Sequence, residues 1–70
     1  MAGEFMKNNV KIIRMKLSIT QEQLAKGVGV ARQTIGLIEN GKHSPSLQLC
    51  IAIANELNKT LDDLFWEVEL

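Results

Sequence analysis

Between Asn8 and Ile19 the apolar residues Val10, Ile13 and Leu17 recur three and four positions apart, which is the spacing of one helical face and predicts a first helix over roughly Asn9 to Leu17. The other side of that segment is basic. Thr20 then stands where an N-cap belongs, and Gln23 three residues on completes a T-x-x-Q capping box that starts a second helix at Gln21. Leu24, Ala25 and Val28 form its apolar stripe. Gly29 ends it, because a residue without a Cβ accepts the left-handed conformation that a sharp helix-to-helix turn requires. A third helix over Arg32 to Glu39 buries Val30, Ile35 and Ile38 and stops at Gly41, just past Asn40.

The loop Lys42 to Pro45 leads to Ser46, the expected cap of a fourth helix reaching Leu57. Leu47, Leu49, Cys50, Ile51, Ala52, Ile53, Ala54 and Leu57 make that helix apolar on nearly every side, so it needs two buried faces: one in the core and one at a subunit interface. Thr60 caps a short fifth helix whose first turn carries Asp62 and Asp63, acids that favour the positive end of the helix dipole. Finally Trp66, Val68 and Leu70 alternate with Glu67 and Glu69, the period of a strand, which leaves room for a short terminal β-ribbon. The fold class expected is therefore all-α, five helices in one domain.

At 70 residues the chain holds one small core, which is seldom enough for stability without a staple or a partner subunit. Cys50 is the only cysteine and His43 the only histidine, so neither an intrachain disulfide nor a zinc cluster is available, and oligomerisation remains. No cofactor or metal is expected, and Cys50 reads as a small core hydrophobe with no companion base, so no enzyme chemistry is supported. No apolar run approaches a bilayer-crossing length and no signal-peptide pattern is present; a cytoplasmic location with no membrane partner is expected. Met1 to Phe5 read as a cloning remnant, since Glu-Phe is what a GAATTC site encodes; residues 6–70 are then the domain proper.

Eight basic residues balance eight acidic ones, which taken alone argues against a nucleic-acid partner. Their placement argues for one. Lys7, Lys11, Arg14, Lys16, Lys26, Arg32 and Lys42 outnumber Glu4, Glu22 and Glu39 in the first 45 residues, while Lys59 faces five acids in the rest. Such a dipolar chain presents a cationic face to an anion and keeps its acidic end away.

Two short helices joined by a tight glycine turn, then a loop and a further helix, are the layout of a helix-turn-helix DNA reader. The stretch TQEQLAKGVGVARQTIGLIENGKHSPS, Thr20 to Ser46, resembles the Xre/Cro family of phage-repressor-like regulators, with the motif proper at residues 20–40. Family-like patterning extends over Asn8 to Phe65. Counting Gln21 as the first motif residue, Ala25, Gly29, Ile35 and Ile38 all fall at the family's offsets. The resemblance implies a lambda-repressor-like fold and assigns roles by position. Arg32, Gln33 and Leu37 match the residues that meet base edges, with Gly36 and Asn40 on the same outward face. Gln21 matches the residue that anchors to backbone phosphate and steadies the recognition helix, and Thr34, Lys42 and His43 correspond to the surroundings of the phosphates. Those residue types suit base reading, since Arg bonds bidentately to guanine, Gln to adenine, and Leu touches a thymine methyl. Glu39 opposes the dipole at the end of the third helix and so calls for a cation, which the resemblance supplies as Arg14 in a structural ion pair. Ala31 departs from the family, which places Ser or Thr at that cap, and Gly27 and Gly36 each cost roughly 1 kcal/mol inside a helix.

These readings converge on a sequence-specific DNA-binding transcription regulator, a repressor acting as a homodimer on a palindromic operator in double-stranded DNA. Ile53, Trp66, Val68 and Leu70 are the expected dimer contacts. The chain is too small for a ligand domain, so its regulator would be a protein rather than a metabolite. The rival is a protein-interaction module on the same fold, such as an antitoxin or an adaptor that does not read DNA.

Overall fold

In the computed structural model, which describes residues 8–65, the chain runs through α1 (Val10–Lys16), α2 (Gln21–Val28), α3 (Arg32–Glu39), α4 (Leu47–Glu56) and α5 (Leu61–Phe65). Among the described residues there are five helices and no strand. The predicted terminal β-ribbon, with Trp66, Val68 and Leu70, and the leader Met1 to Phe5 lie outside the described residues.

Three helix starts are fixed by the side chains that the sequence places there. Thr20 Oγ1 accepts from the Gln23 N–H at 3.0 Å while the Thr20 N–H donates to Gln23 Oε1 at 2.8 Å, a complete capping box. Ser46 Oγ accepts from the Leu49 N–H at 3.1 Å. At α5, Thr60 and Asp63 form a second reciprocal pair, at 3.2 Å and 3.1 Å. The hydrogen bond from the Thr60 backbone N–H, and then the Thr60 hydroxyl contact, hold the Asp63 carboxyl below the usual carboxylate range. α3 starts at Ala31 with no side-chain cap.

The ends of α1, α2, α3 and α4 follow a single device. Gly29 (φ 79°) and Gly41 (φ 71°) take the left-handed conformation after α2 and α3, and Ser18 (φ 60°) and Asn58 (φ 57°) take it after α1 and α4. The Ile19 N–H donates to Arg14 O at 3.0 Å and the Lys59 N–H to Ala54 O at 2.9 Å, each closing the last carbonyls of its helix. Ser18 carries a Cβ in a conformation that disfavours one. Ser18→Gly is therefore expected to stabilise the chain by about 0.5–1 kcal/mol, read as a shift of the urea midpoint at unchanged slope.

Val10, Leu24, Ala25, Ile35, Ile38, Ile53, Ala54, Leu57 and Leu64 form one core to which all five helices contribute. α2 is central, packing on both α3 and α4, while α5 lies against α4 and α1. The Asn9 N–H donates to Leu64 O at 2.8 Å and ties the start of α1 to α5. Ile53 requires a correction: it is fully buried in this core, not placed at a surface where a second subunit could reach it. In a helix apolar all round, the inward face is chosen by the packing partners, here α2 and α5, and Ile53, Ala54 and Leu57 belong to the core. The apolar residues of α4 left in solvent are Leu47, 68% exposed, and Ile51, 43% exposed. Cys50 is buried near the Pro45 carbonyl, and burial pushes its thiol above the ordinary value.

Candidate nucleic-acid interface

α3 turns Ile35 and Ile38 into the core, and the helical period then leaves Arg32, Gln33, Leu37 and Asn40 exposed, with Gly36 half-buried between them. The expected reading residues thus share one outward face. Leu37 is 40% exposed, a large apolar side chain offered to solvent within a polar surface. Thr34 is half-buried at the edge of this face, and Lys42 and His43 are exposed in the loop that follows α3. A Cβ built on Gly36 would meet only Gln21 Nε2 at 3.6 Å, an ordinary contact. Packing within the chain leaves room for a larger residue at that position.

Behind this face lies a hydrogen-bonded chain of side chains. Arg14 Nε donates to Glu39 Oε2 at 2.6 Å and Arg14 Nη2 to Oε1 at 3.3 Å, a two-pronged ion pair with side chains 9% and 1% exposed. Arg14 Nη1 also donates to Ile19 O at 2.8 Å, so the guanidinium fastens α1, the α1–α2 turn and the end of α3 together. Glu39 Oε1 accepts a further bond from Gln21 Nε2 at 2.9 Å, and Gln21 Oε1 accepts from Arg32 Nη1 at 3.0 Å. A groove of about 580 Å³ lined by Met15, Ile19, Thr20, Gln21, Glu22 and Arg32 runs beside this chain.

Two residues do more here than their place in the sequence suggests. The resemblance gives Gln21 a phosphate anchor and a part in steadying the recognition helix, and the partners through which it holds α3, Glu39 and Arg32, emerge only once α2 and α3 are packed. Asn8 has no part in the motif. Its Nδ2 nevertheless donates to Ile38 O at 2.8 Å and its Oδ1 accepts from the Val10 N–H at 3.1 Å, so it satisfies a late carbonyl of α3 while opening α1. An Asn just before a helix is the one signal in the sequence that marks it.

The fold and this face define a class, that of the helix-turn-helix regulators. The helix-turn-helix family pattern matches residues 10–64, nearly the whole described chain. An uncharacterized helix-turn-helix-type transcriptional regulator of Archaeoglobus fulgidus is 47% identical over 60 residues, covering 86% of this chain and 84% of that protein. The regulator YgzD of Bacillus subtilis, likewise uncharacterized, is 43% identical over 61 residues, covering 87% and 92%. The restriction-modification controller protein C.AhdI from Aeromonas hydrophila superimposes with a TM-score of 0.76 at 25% identity, over 79% of this chain and 83% of that one. The chain belongs to the helix-turn-helix family, of the Xre-like type, whose members are DNA-binding transcription regulators.

Proposed function

We propose that this protein is a repressor that reads a palindromic operator as a homodimer, with Arg32, Gln33, Gly36, Leu37 and Asn40 facing base edges and Gln21, Thr34, Lys42 and His43 facing phosphates. The observation that carries the proposal is the outward face of α3: Arg32 and Gln33 stand exposed at its start while Ile35 and Ile38 anchor its back to the core. Arg and Gln are the side chains whose paired donors and acceptors match guanine and adenine edges in the major groove. Relatives named as transcriptional regulators support the same reading. Its cellular place would be the cytoplasm, and its control would come from a protein partner.

A second copy is supported by Leu47 and Ile51, exposed on α4, and by the need of so small a core for added burial. Trp66, Val68 and Leu70, outside the described residues, stay in the proposed interface. A two-fold dimer spaces two recognition helices one DNA turn apart, about 34–36 Å, and so demands a palindrome.

The test is an anisotropy titration of the full chain against duplex DNA over a range of salt, paired with sedimentation. Affinity should fall linearly with salt on logarithmic axes, and Lys42→Ala should weaken binding to all sequences while flattening that slope by about one phosphate equivalent. Wild-type protein should sediment as a dimer at micromolar concentration, and Ile51→Asp should shift it toward monomer and weaken operator binding. A protein that binds no duplex even at low salt contradicts the proposal and favours the interaction-module reading. A charge at Ile53 tests folding instead of association, since that side chain is fully buried.

A further inference from the structure

Two glycines stand inside helices, Gly27 in α2 and Gly36 in α3, and neither takes a positive φ, so no turn calls for them. Glycine in a helix interior is destabilising relative to alanine, because it gives up more backbone freedom on folding. Packing accounts for one of the two. A Cβ on Gly27 would land on the Glu56 carboxylate of α4, which lies over that position. A Cβ on Gly36 would meet only the flexible end of Gln21, at 3.6 Å. The Gly36 carbonyl accepts from the Asn40 N–H at 3.1 Å, the regular bond of an intact helix. Nothing inside the fold therefore requires a missing side chain at Gly36, and α3, which already starts without a cap, is weaker for it.

We propose that the side chain is missing at Gly36 because DNA fills that space: the α3 backbone comes against the floor of the major groove there and admits the 5-methyl group of a thymine. This rests on the reading of α3 as the helix that meets base edges, and it gives a task to the one residue of that face with no side chain to read with. Glycine is the residue that lets a backbone approach a ligand closely. Its surroundings decide the group. Gly36 is half-buried, with Gln33 and Leu37 exposed on either side of it. With its carbonyl used along the helix it has only apolar surface to offer, and the apolar feature of the major groove is the thymine methyl. Leu37 extends the same apolar spot. Gln33 suits adenine, whose partner in the duplex is thymine, so a methyl is brought to this part of the helix.

The experiment replaces each thymine of a selected operator in turn by deoxyuridine, which removes the methyl alone, and titrates the full chain and its Gly36→Ala variant against each duplex. Wild-type protein should lose about three- to fivefold in affinity at the position facing Gly36. Gly36→Ala should melt about 2–8 °C higher than the wild type and yet bind the thymine operator roughly tenfold more weakly. At that same position deoxyuridine should restore part of the variant's affinity, the opposite sign to its effect on the wild type. A Gly36→Ala protein that melts lower would show that the fold itself requires the glycine and overturn the proposal. Equal affinities and equal deoxyuridine responses for the two proteins would overturn it as well, and so would a uniform loss on every duplex, which would place Gly36 at the sugar-phosphate backbone. Wild-type protein with no preference among operators would overturn the reading of α3 itself, a distinct outcome.

Discussion

Arg14→Met and Glu39→Gln are each expected to destabilise the chain by about 3–5 kcal/mol, since each leaves a charged or strongly polar partner buried without its counterpart. The side chains are 9% and 1% exposed, so solvent does little to replace what is lost. The loss is shared by four elements: Arg14 also holds Ile19 O, and Glu39 also holds Gln21. A core of this size supplies only about 3–5 kcal/mol in total. Either single variant should therefore be substantially unfolded at room temperature, visible as lost helical circular dichroism. The double replacement Arg14→Met with Glu39→Leu should lose far less than the sum, because a buried pair exchanged for apolar side chains is often close to neutral. Small, additive losses in urea titrations would show instead that the two residues contribute independently.

Arg32→Ala and Gln33→Ala should each cost about 1–3 kcal/mol against the specific operator and relax the preference at one base pair, without a comparable loss on unrelated duplex. Both side chains are exposed and neither supports the core, so folding is expected to survive. α3 opens without a side-chain cap at Ala31, which leaves its first turn held mainly by the backbone and by the Arg32 to Gln21 contact. Arg32→Ala should consequently have the larger effect of the two. Competition binding with operators altered at single positions separates these outcomes from a general loss of affinity.

The elements are legible in the sequence wherever the determinant is local. Thr20 with Gln23, Ser46, Gly29 and Gly41 mark helix ends through bonds between near neighbours in the chain, and those boundaries match the structure. Where the left-handed position holds a non-glycine residue, Asn58 is a type that accepts that conformation, whereas nothing in the residue type announces it at Ser18. Ile53 shows the limit of periodicity: in a helix apolar on nearly all sides, no polar stripe marks which face turns inward, and the residue expected at the dimer contact belongs to the core. The outward face of α3 is readable because Ile35 and Ile38 fix the helix's rotation. The resemblance gives Gln21 a part in steadying α3, but its partners Glu39 and Arg32 are not readable, since they lie 18 and 11 positions away and depend on how α2 and α3 pack. Charge asymmetry points to a cationic face; it says nothing of Arg14 being drawn inside as a structural cation.

The most direct measurement of sequence-specific reading by the α3 face is selection of bound duplexes from a random pool by the full chain, repeated with Arg32→Ala and Gln33→Ala. The wild-type pool should converge on a palindrome whose half-sites lie about 10–10.5 base pairs apart, centre to centre, and each variant should lose the preference at one position of each half-site. Pools that stay random for the wild type, or that converge on the same site for the wild type and both variants, would contradict this assignment.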